Sequence, residues 1–123
     1  MRKPLALIVE DEPRLADLFS MALSPDFDTQ IAYDGQIALN KLAEMTPEII
    51  ILDLHLPGIS GKDILRQIKA DERLSQSRII ITTADGVVSE ELREEVDIVL
   101  LKPLSMTQLK QLANRLCLNR LEI

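Results

Sequence analysis

The sequence predicts an α/β fold, a doubly wound (βα)5 unit whose five parallel strands run in the order 2-1-3-4-5. Three observations predict it. Four short apolar runs are unbroken and mostly rich in β-branched residues, as strands covered on both faces are. The segments between them carry apolar residues at helical spacing. One further run, Phe27 to Tyr33, alternates roughly with period two, as a half-exposed edge strand does. Alternating strands and helices imply right-handed crossovers between parallel strands. With an edge-like second strand, 2-1-3-4-5 is the economical order.

The first strand is Leu5-Ala6-Leu7-Ile8-Val9. Pro13 is a good first helical residue, and Leu15, Leu18, Phe19, Ala22 and Leu23 follow on one face. The Phe27 to Tyr33 segment is the edge strand. After Gly35, Ala38, Leu39, Leu42 and Met45 mark the second helix. Ile49 to Leu52 is the third strand. Ile64, Leu65 and Ile68, after Gly61, mark the third helix, and Ile79 to Ile81 is the fourth strand. Gly86 to Glu95 reads as a short helix with a weak apolar face, Val88 and Leu92, and a solvated one, Glu90, Glu91, Arg93, Glu94 and Glu95. Ile98 to Leu101 is the fifth strand. Met106, Leu109, Leu112, Ala113 and Leu116 form the face of the last helix, and the leucine-rich end to Ile123 is expected to pack on the sheet. No linker, repeat or low-complexity segment interrupts this pattern.

Composition narrows the function. At 123 residues the chain suits one domain, and 46 % apolar content supplies a core without metal or disulfide staples. The net charge of −6 makes bulk-charge binding to nucleic acid or an anionic membrane a poor reading. No apolar run approaches the ~20 residues of a membrane helix, and the start shows no secretory cleavage pattern, so a cytoplasmic protein is expected. The single cysteine, Cys117, allows neither an internal disulfide nor a cysteine zinc site, and it reads as a core residue of the last helix.

In this fold ligands sit beyond the carboxyl ends of the strands. Glu10 and Asp11 follow the first strand, Asp53 ends the third, Thr82 and Thr83 the fourth, and Lys102 with Pro103 follows the fifth. Converging carboxylates repel by about 4 kcal/mol per pair at ~4 Å and an effective dielectric near 20. Such a cluster either takes up a proton or holds a cation. Hard oxygen ligands suit Mg²⁺, which shares its coordination with phosphate. A lysine and a threonine hydroxyl facing the same point could stabilise a phosphoryl group in transfer. Asp53, central in the sheet, is the best-placed nucleophile.

Val9-Glu10-Asp11-Glu12, Asp53 with Leu56-Pro57-Gly58 and Gly61, Thr83-Ala84 and Lys102-Pro103 together resemble the response-regulator receiver domain of two-component signalling. The motifs span nearly the whole chain in the family's order. The resemblance implies a flavodoxin-like fold over 1–123 as a single receiver domain. It also implies Asp53 as acceptor of a phosphoryl group from a sensor histidine kinase, a phosphotransfer protein or a small donor. Asp11 and Asp53 would bind Mg²⁺ together with the backbone carbonyl of His55, with Glu10 nearby or acting through water. Thr83 would hydrogen-bond the phosphoryl group, Lys102 would pair with it, and the Lys102–Pro103 peptide would be cis. Phosphorylation would re-pose the surface of the fourth helix, fifth strand and fifth helix for protein contacts. The implied protein is a signalling switch rather than an enzyme, acting only in its own phosphorylation and dephosphorylation. It would be a monomer or weak dimer, with no direct contact to nucleic acid or membrane. The length leaves no room for an output domain, so a single-domain regulator, a relay shuttle or a receiver cut from a longer protein is expected.

Several residues depart from the pattern or carry a second reading. Val99 stands where the family usually has an aromatic switch residue, and the stretch between Thr83 and Lys102 is short. Both features motivate the alternative of a receiver-like binding module that is never phosphorylated. Glu10 and Asp11 could cap the first helix. Strand alternation leaves Thr82 or Thr83 as the site hydroxyl, and the following Ala84 favours Thr83. His55 and Asp85, each two residues past a site residue, would flank a phosphoryl group. A flavodoxin-like cofactor carrier would need a phosphate-cradling loop after the first strand, where this chain has three acids.

Overall fold

The structure is a computed structural model that describes residues 2–117, with residues 88 and 89 described by their backbone. Five parallel strands, β1 (Leu5–Val9), β2 (Asp28–Ala32), β3 (Ile49–Asp53), β4 (Arg78–Thr83) and β5 (Ile98–Leu101), form one sheet in the order β2-β1-β3-β4-β5. The helices are α1 (Pro13–Leu23), α2 (Gly35–Glu44), α3 (Gly61–Ala70), α4 (Gly86–Leu92) and α5 (Met106–Cys117). The predicted order and the edge position of β2 are both observed, and β2 alternates exposed and covered residues as its sequence does.

Strand alternation divides the core in two. Ala6, Ile8, Ile49, Ile51, Ile80 and Leu100 pack against Phe19 and Leu23 of α1 and Leu109, Ala113 and Cys117 of α5. Leu7, Val9, Ile50, Leu52, Ile79 and Ile81 pack against Ala38 and Leu42 of α2, Ile64, Leu65 and Ile68 of α3, and Leu92 of α4. Most of these side chains are fully buried, each contributing about 1.5–3 kcal/mol if aliphatic and large. Cys117 is buried within the first of these layers, as its helix position predicts, and its Sγ donates to the Glu48 carbonyl at 3.8 Å. Leu116 packs against the same layer, whereas the end from residue 118 and the Val88 side chain lie outside the described residues.

The helix starts are fixed by side chains. Glu12, not Glu10 or Asp11, caps α1, accepting from the backbone N–H of Arg14 and Leu15 ahead of Pro13. Asp34 Oδ1 caps α2 through the Ile37 N–H at 2.8 Å, and Ser60 Oγ caps α3 through that of Asp63 at 3.2 Å. A short 3-10 turn, Glu72–Leu74, was not evident in the periodicity. It carries Arg73, which donates to the carbonyls of Leu42 and Met45 and to Thr46 Oγ1, satisfying the carboxyl end of α2. The helix expected over Gly86 to Glu95 is shorter, ending at Leu92, and Glu90 and Glu91 are exposed on it as expected.

Candidate functional site

β1 and β3 lie side by side, Val9 opposite Leu52, and each delivers an acid at its carboxyl end. Ile8 and Ile51 face the α1–α5 layer, so alternation turns Glu10 and Asp53, two residues further on, to that same face. Glu10 is 1 % exposed and Asp53 3 %, while Asp11 beside them is exposed. Ligand oxygens of Glu10, Asp11 and Asp53 all lie within 4.8 Å of one another. Packing of α3 completes the floor. Gly61 opens that helix so close to β3 that a Cβ there would collide with the Asp53 backbone carbonyl and Leu54. Gly58, in the loop between them, adopts φ 76°, a conformation glycine enters without strain.

Lys102 comes from β5, two strands away from β3. Its backbone N–H donates to the Thr83 carbonyl at 2.8 Å, and its Nζ donates to Glu10 Oε1 at 2.9 Å and Asp53 Oδ2 at 3.1 Å. The second oxygen of each acid is also used. Asp53 Oδ1 accepts from the His55 backbone N–H at 3.0 Å and Glu10 Oε2 from that of Glu12 at 3.1 Å. Burial raises the Glu10 carboxyl above its ordinary range, although the hydrogen bonds from Lys102 and Glu12 oppose this. Burial also disfavours the Lys102 ammonium. The bond to Glu10 and the charge of Asp53 outweigh that effect, so its pKa stands above the ordinary lysine value.

The β4 threonines diverge. Thr82 pairs with Asp53 in register and shares its face, whereas Thr83 lies opposite Leu101 and points to the other side. Thr83 Oγ1, at the strand end, accepts from the Asp85 backbone N–H at 3.1 Å. Ala84 is exposed. The His55 side chain is exposed in the loop beyond β3. The Lys102–Pro103 peptide is cis. Val99 is partly buried against the α2–α3–α4 layer, and Leu101 is 49 % exposed.

Glu10, Asp11, Asp53 and Lys102 are thus brought together from three strands, with Thr83 and His55 at the margin. The response regulator receiver domain model matches residues 6–114. The chain belongs to this receiver-domain family. Accepting a phosphoryl group on an aspartate from a histidine kinase is the family's general function. Curated relatives include the transcriptional regulatory protein TrcR of Mycobacterium tuberculosis, 33 % identical over 106 residues, 84 % of this chain and 41 % of that protein. The DNA-binding response regulator MtrA of Mycolicibacterium smegmatis is 33 % identical over 104 residues, 84 % of this chain and 46 % of that protein. The receiver therefore spans less than half the length of these relatives. Among solved structures, the signal receiver domain of a Luxo repressor protein described as putative, from Vibrio parahaemolyticus, superposes with a TM-score of 0.83 at 29 % identity, covering 98 % of this chain and 95 % of that one. The receiver's acidic cluster offers hard oxygen donors of the kind Mg²⁺ takes. Among the described residues, no helix is long and apolar enough to cross a membrane.

Proposed function

We propose that this receiver, as one unit over 1–123, is a phosphorylation switch with Asp53 as its acceptor. The observation that carries the reading is the Lys102 ammonium held against both Asp53 and Glu10, two buried acids that would otherwise repel. A carboxylate oxygen of Asp53 attacks phosphorus, the donor's bond to phosphorus breaks, and the donor leaves with that electron pair. Mg²⁺ neutralises phosphate charge when bound; Asp11, Asp53 and the His55 backbone carbonyl would hold it, with Glu10 alongside. Lys102 then pairs with the phosphoryl group, and the Thr83 hydroxyl donates to a phosphoryl oxygen while still accepting from the Asp85 N–H.

The phosphodonor is a sensor histidine kinase or phosphotransfer protein in the cytoplasm, and the output is a change in protein contacts. The responsive surface is α4, β5 and α5, where Val87 and Leu101 lie exposed. The chain works only on its own Asp53 and has no external substrate. It acts as a monomer or weak dimer, without touching nucleic acid or membrane itself. Two features favour a second reading, a binding module that is never phosphorylated: Val99 and a seven-residue α4 stand where an aromatic-driven switch would need more.

Intact mass after incubation with acetyl phosphate and Mg²⁺ separates the two. Gain of one phosphoryl group by the wild type and none by Asp53→Asn supports the switch. No gain by either favours the binding module.

A further inference from the structure

Three buried side-chain atoms among the described residues have no hydrogen-bond partner: Arg78 Nε, Asn114 Oδ1 and Thr82 Oγ1. Arg78 and Asn114 use their other polar atoms, on Asp97 and Asp26. Thr82 has no other polar side-chain atom, and it is 1 % exposed. A buried hydroxyl left idle is a cost that valine, of the same shape, would avoid.

Its position gives the idle hydroxyl a use. Thr82 is in register with Asp53 on one side and Leu100 on the other. Ile51, Ile80 and Leu100 all face the α1–α5 layer, so Asp53, Thr82 and Lys102 share that face by alternation. To bring Nζ to Asp53 and Glu10 from β5, the Lys102 stem must cross β4. It crosses on the face of Thr82. Thr82 thus lies on the face that the lysine arm crosses and on the strand next to the acceptor.

We infer that Thr82 is a further residue of the phosphoryl chemistry. Its hydroxyl donates to the Asp53 side-chain oxygen that Lys102 leaves when the ammonium turns to the phosphoryl group. The inference rests on Asp53 being the acceptor. In hydrolysis, water oxygen bonds phosphorus, the water proton goes to the released phosphate, and the broken P–O pair returns to the Asp53 carboxylate. A hydrogen bond donated to that carboxylate stabilises it as a leaving group and speeds this step. Thr82 then limits the lifetime of the phosphorylated state.

The test starts with wild-type protein phosphorylated by acetyl phosphate and Mg²⁺, its decay followed by intact mass after donor removal. Thr82→Val should raise the Tm of the unphosphorylated protein by a few degrees and lengthen the phosphate half-life about fivefold, the effect of one lost hydrogen bond. Thr82→Ser should return the half-life to the wild-type value, which a purely structural role would not require. A Thr82→Val protein that is more heat-resistant but has an unchanged half-life overturns the inference. Should Thr82→Val not fold, Thr82→Ala is measured against the same half-life criterion. A wild type that takes up no phosphoryl group is a separate failure, since it removes the Asp53 reading itself.

Discussion

Replacing Lys102 by methionine keeps most of the stem and deletes the charge that joins Glu10 to Asp53. Those acids are 1 % and 3 % exposed, with ligand oxygens no more than 4.8 Å apart. Two bare charges at that separation repel by about 3.5 kcal/mol at an effective dielectric near 20. The variant can escape by protonating one acid. At pH 7 that costs about 3.7 kcal/mol for a carboxyl of ordinary pKa near 4.3. The two routes are nearly equal, so the loss relative to wild type is about 3–4 kcal/mol, in the range for breaking a buried pair. At pH 5 the protonation route costs only about 1 kcal/mol and caps the loss there. The sign follows from linkage. An acid whose folded pKa is raised binds its proton more tightly in the native state, so its contribution favours folding at low pH and is lost as pH rises through that raised pKa. In the wild type both Glu10 and Lys102 have raised pKa values: the Glu10 contribution favours folding at low pH and fades as pH rises, whereas that of Lys102 is present below the ordinary lysine value of 10.5 and is lost only in stronger alkali. Thermal unfolding by circular dichroism, needed because the chain has no Trp, should show Tm lowered by about 10–18 °C at pH 7. Most of that gap should close at pH 5. Mg²⁺ at a hundredfold excess over its Kd should restore about 2.7 kcal/mol. An equal gap at both pH values, unmoved by Mg²⁺, would refute the electrostatic account and leave only lost packing of the lysine stem.

Three other substitutions probe separate parts of the arrangement. Asp11→Ala removes an exposed acid from the cluster, so Mg²⁺ affinity by calorimetry should fall at least about tenfold, while metal-free stability changes by less than about 0.5 kcal/mol; unchanged affinity contradicts the ligand assignment. Gly61→Ala drives a Cβ into the Asp53 carbonyl, and urea unfolding should show a loss of about 1–3 kcal/mol. Stability equal to wild type would show that α3 can back away from the site without cost. Arg73→Met strips the carboxyl end of α2 of its donor and should cost about 1–2 kcal/mol in the same assay, with phosphorylation rate unaffected because Arg73 lies at the amino-end side of β3 and β4, opposite the carboxyl ends that carry the site.

Much of this was legible in the sequence for a physical reason. The unbroken runs of β1, β3 and β4 must be covered on both faces, which specifies a parallel sheet, and a parallel sheet gathers its carboxyl ends on one side. Glu10, Asp53 and Lys102 follow apolar runs, so their convergence is a consequence of topology. What stayed hidden depends on register and on contacts distant in the chain. Nothing in the order of Thr82 and Thr83 reveals that Thr82 sits opposite Asp53, because pairing between β3 and β4 is set by loops and the core. Arg73 reads as a surface charge until α2 ends beside it. The choice of Glu12 as the α1 cap is similarly local in sequence yet ambiguous, since three consecutive acids precede Pro13.

That ambiguity bears on how the switch can work without an aromatic at position 99. Because Glu12 satisfies the first turn of α1, Glu10 and Asp11 are left to the cluster, and Lys102 is the cation that balances it among the described residues. The lysine is attached directly to the end of β5, and its backbone N–H is bonded to the Thr83 carbonyl at the end of β4. Any cation or phosphoryl group that takes over the acids changes what holds Lys102, and the strain of that change falls first on the β4–β5 ends. From there it reaches Leu101, exposed on β5, and α4, which starts three residues after Thr83. Phosphorylation can therefore bias the α4–β5 surface through the counter-ion alone. Amide shifts there should respond to phosphorylation in the wild type and be largely lost in Lys102→Met, even where that variant is still phosphorylated. A full response in the variant would mean that the signal travels through Thr83 instead.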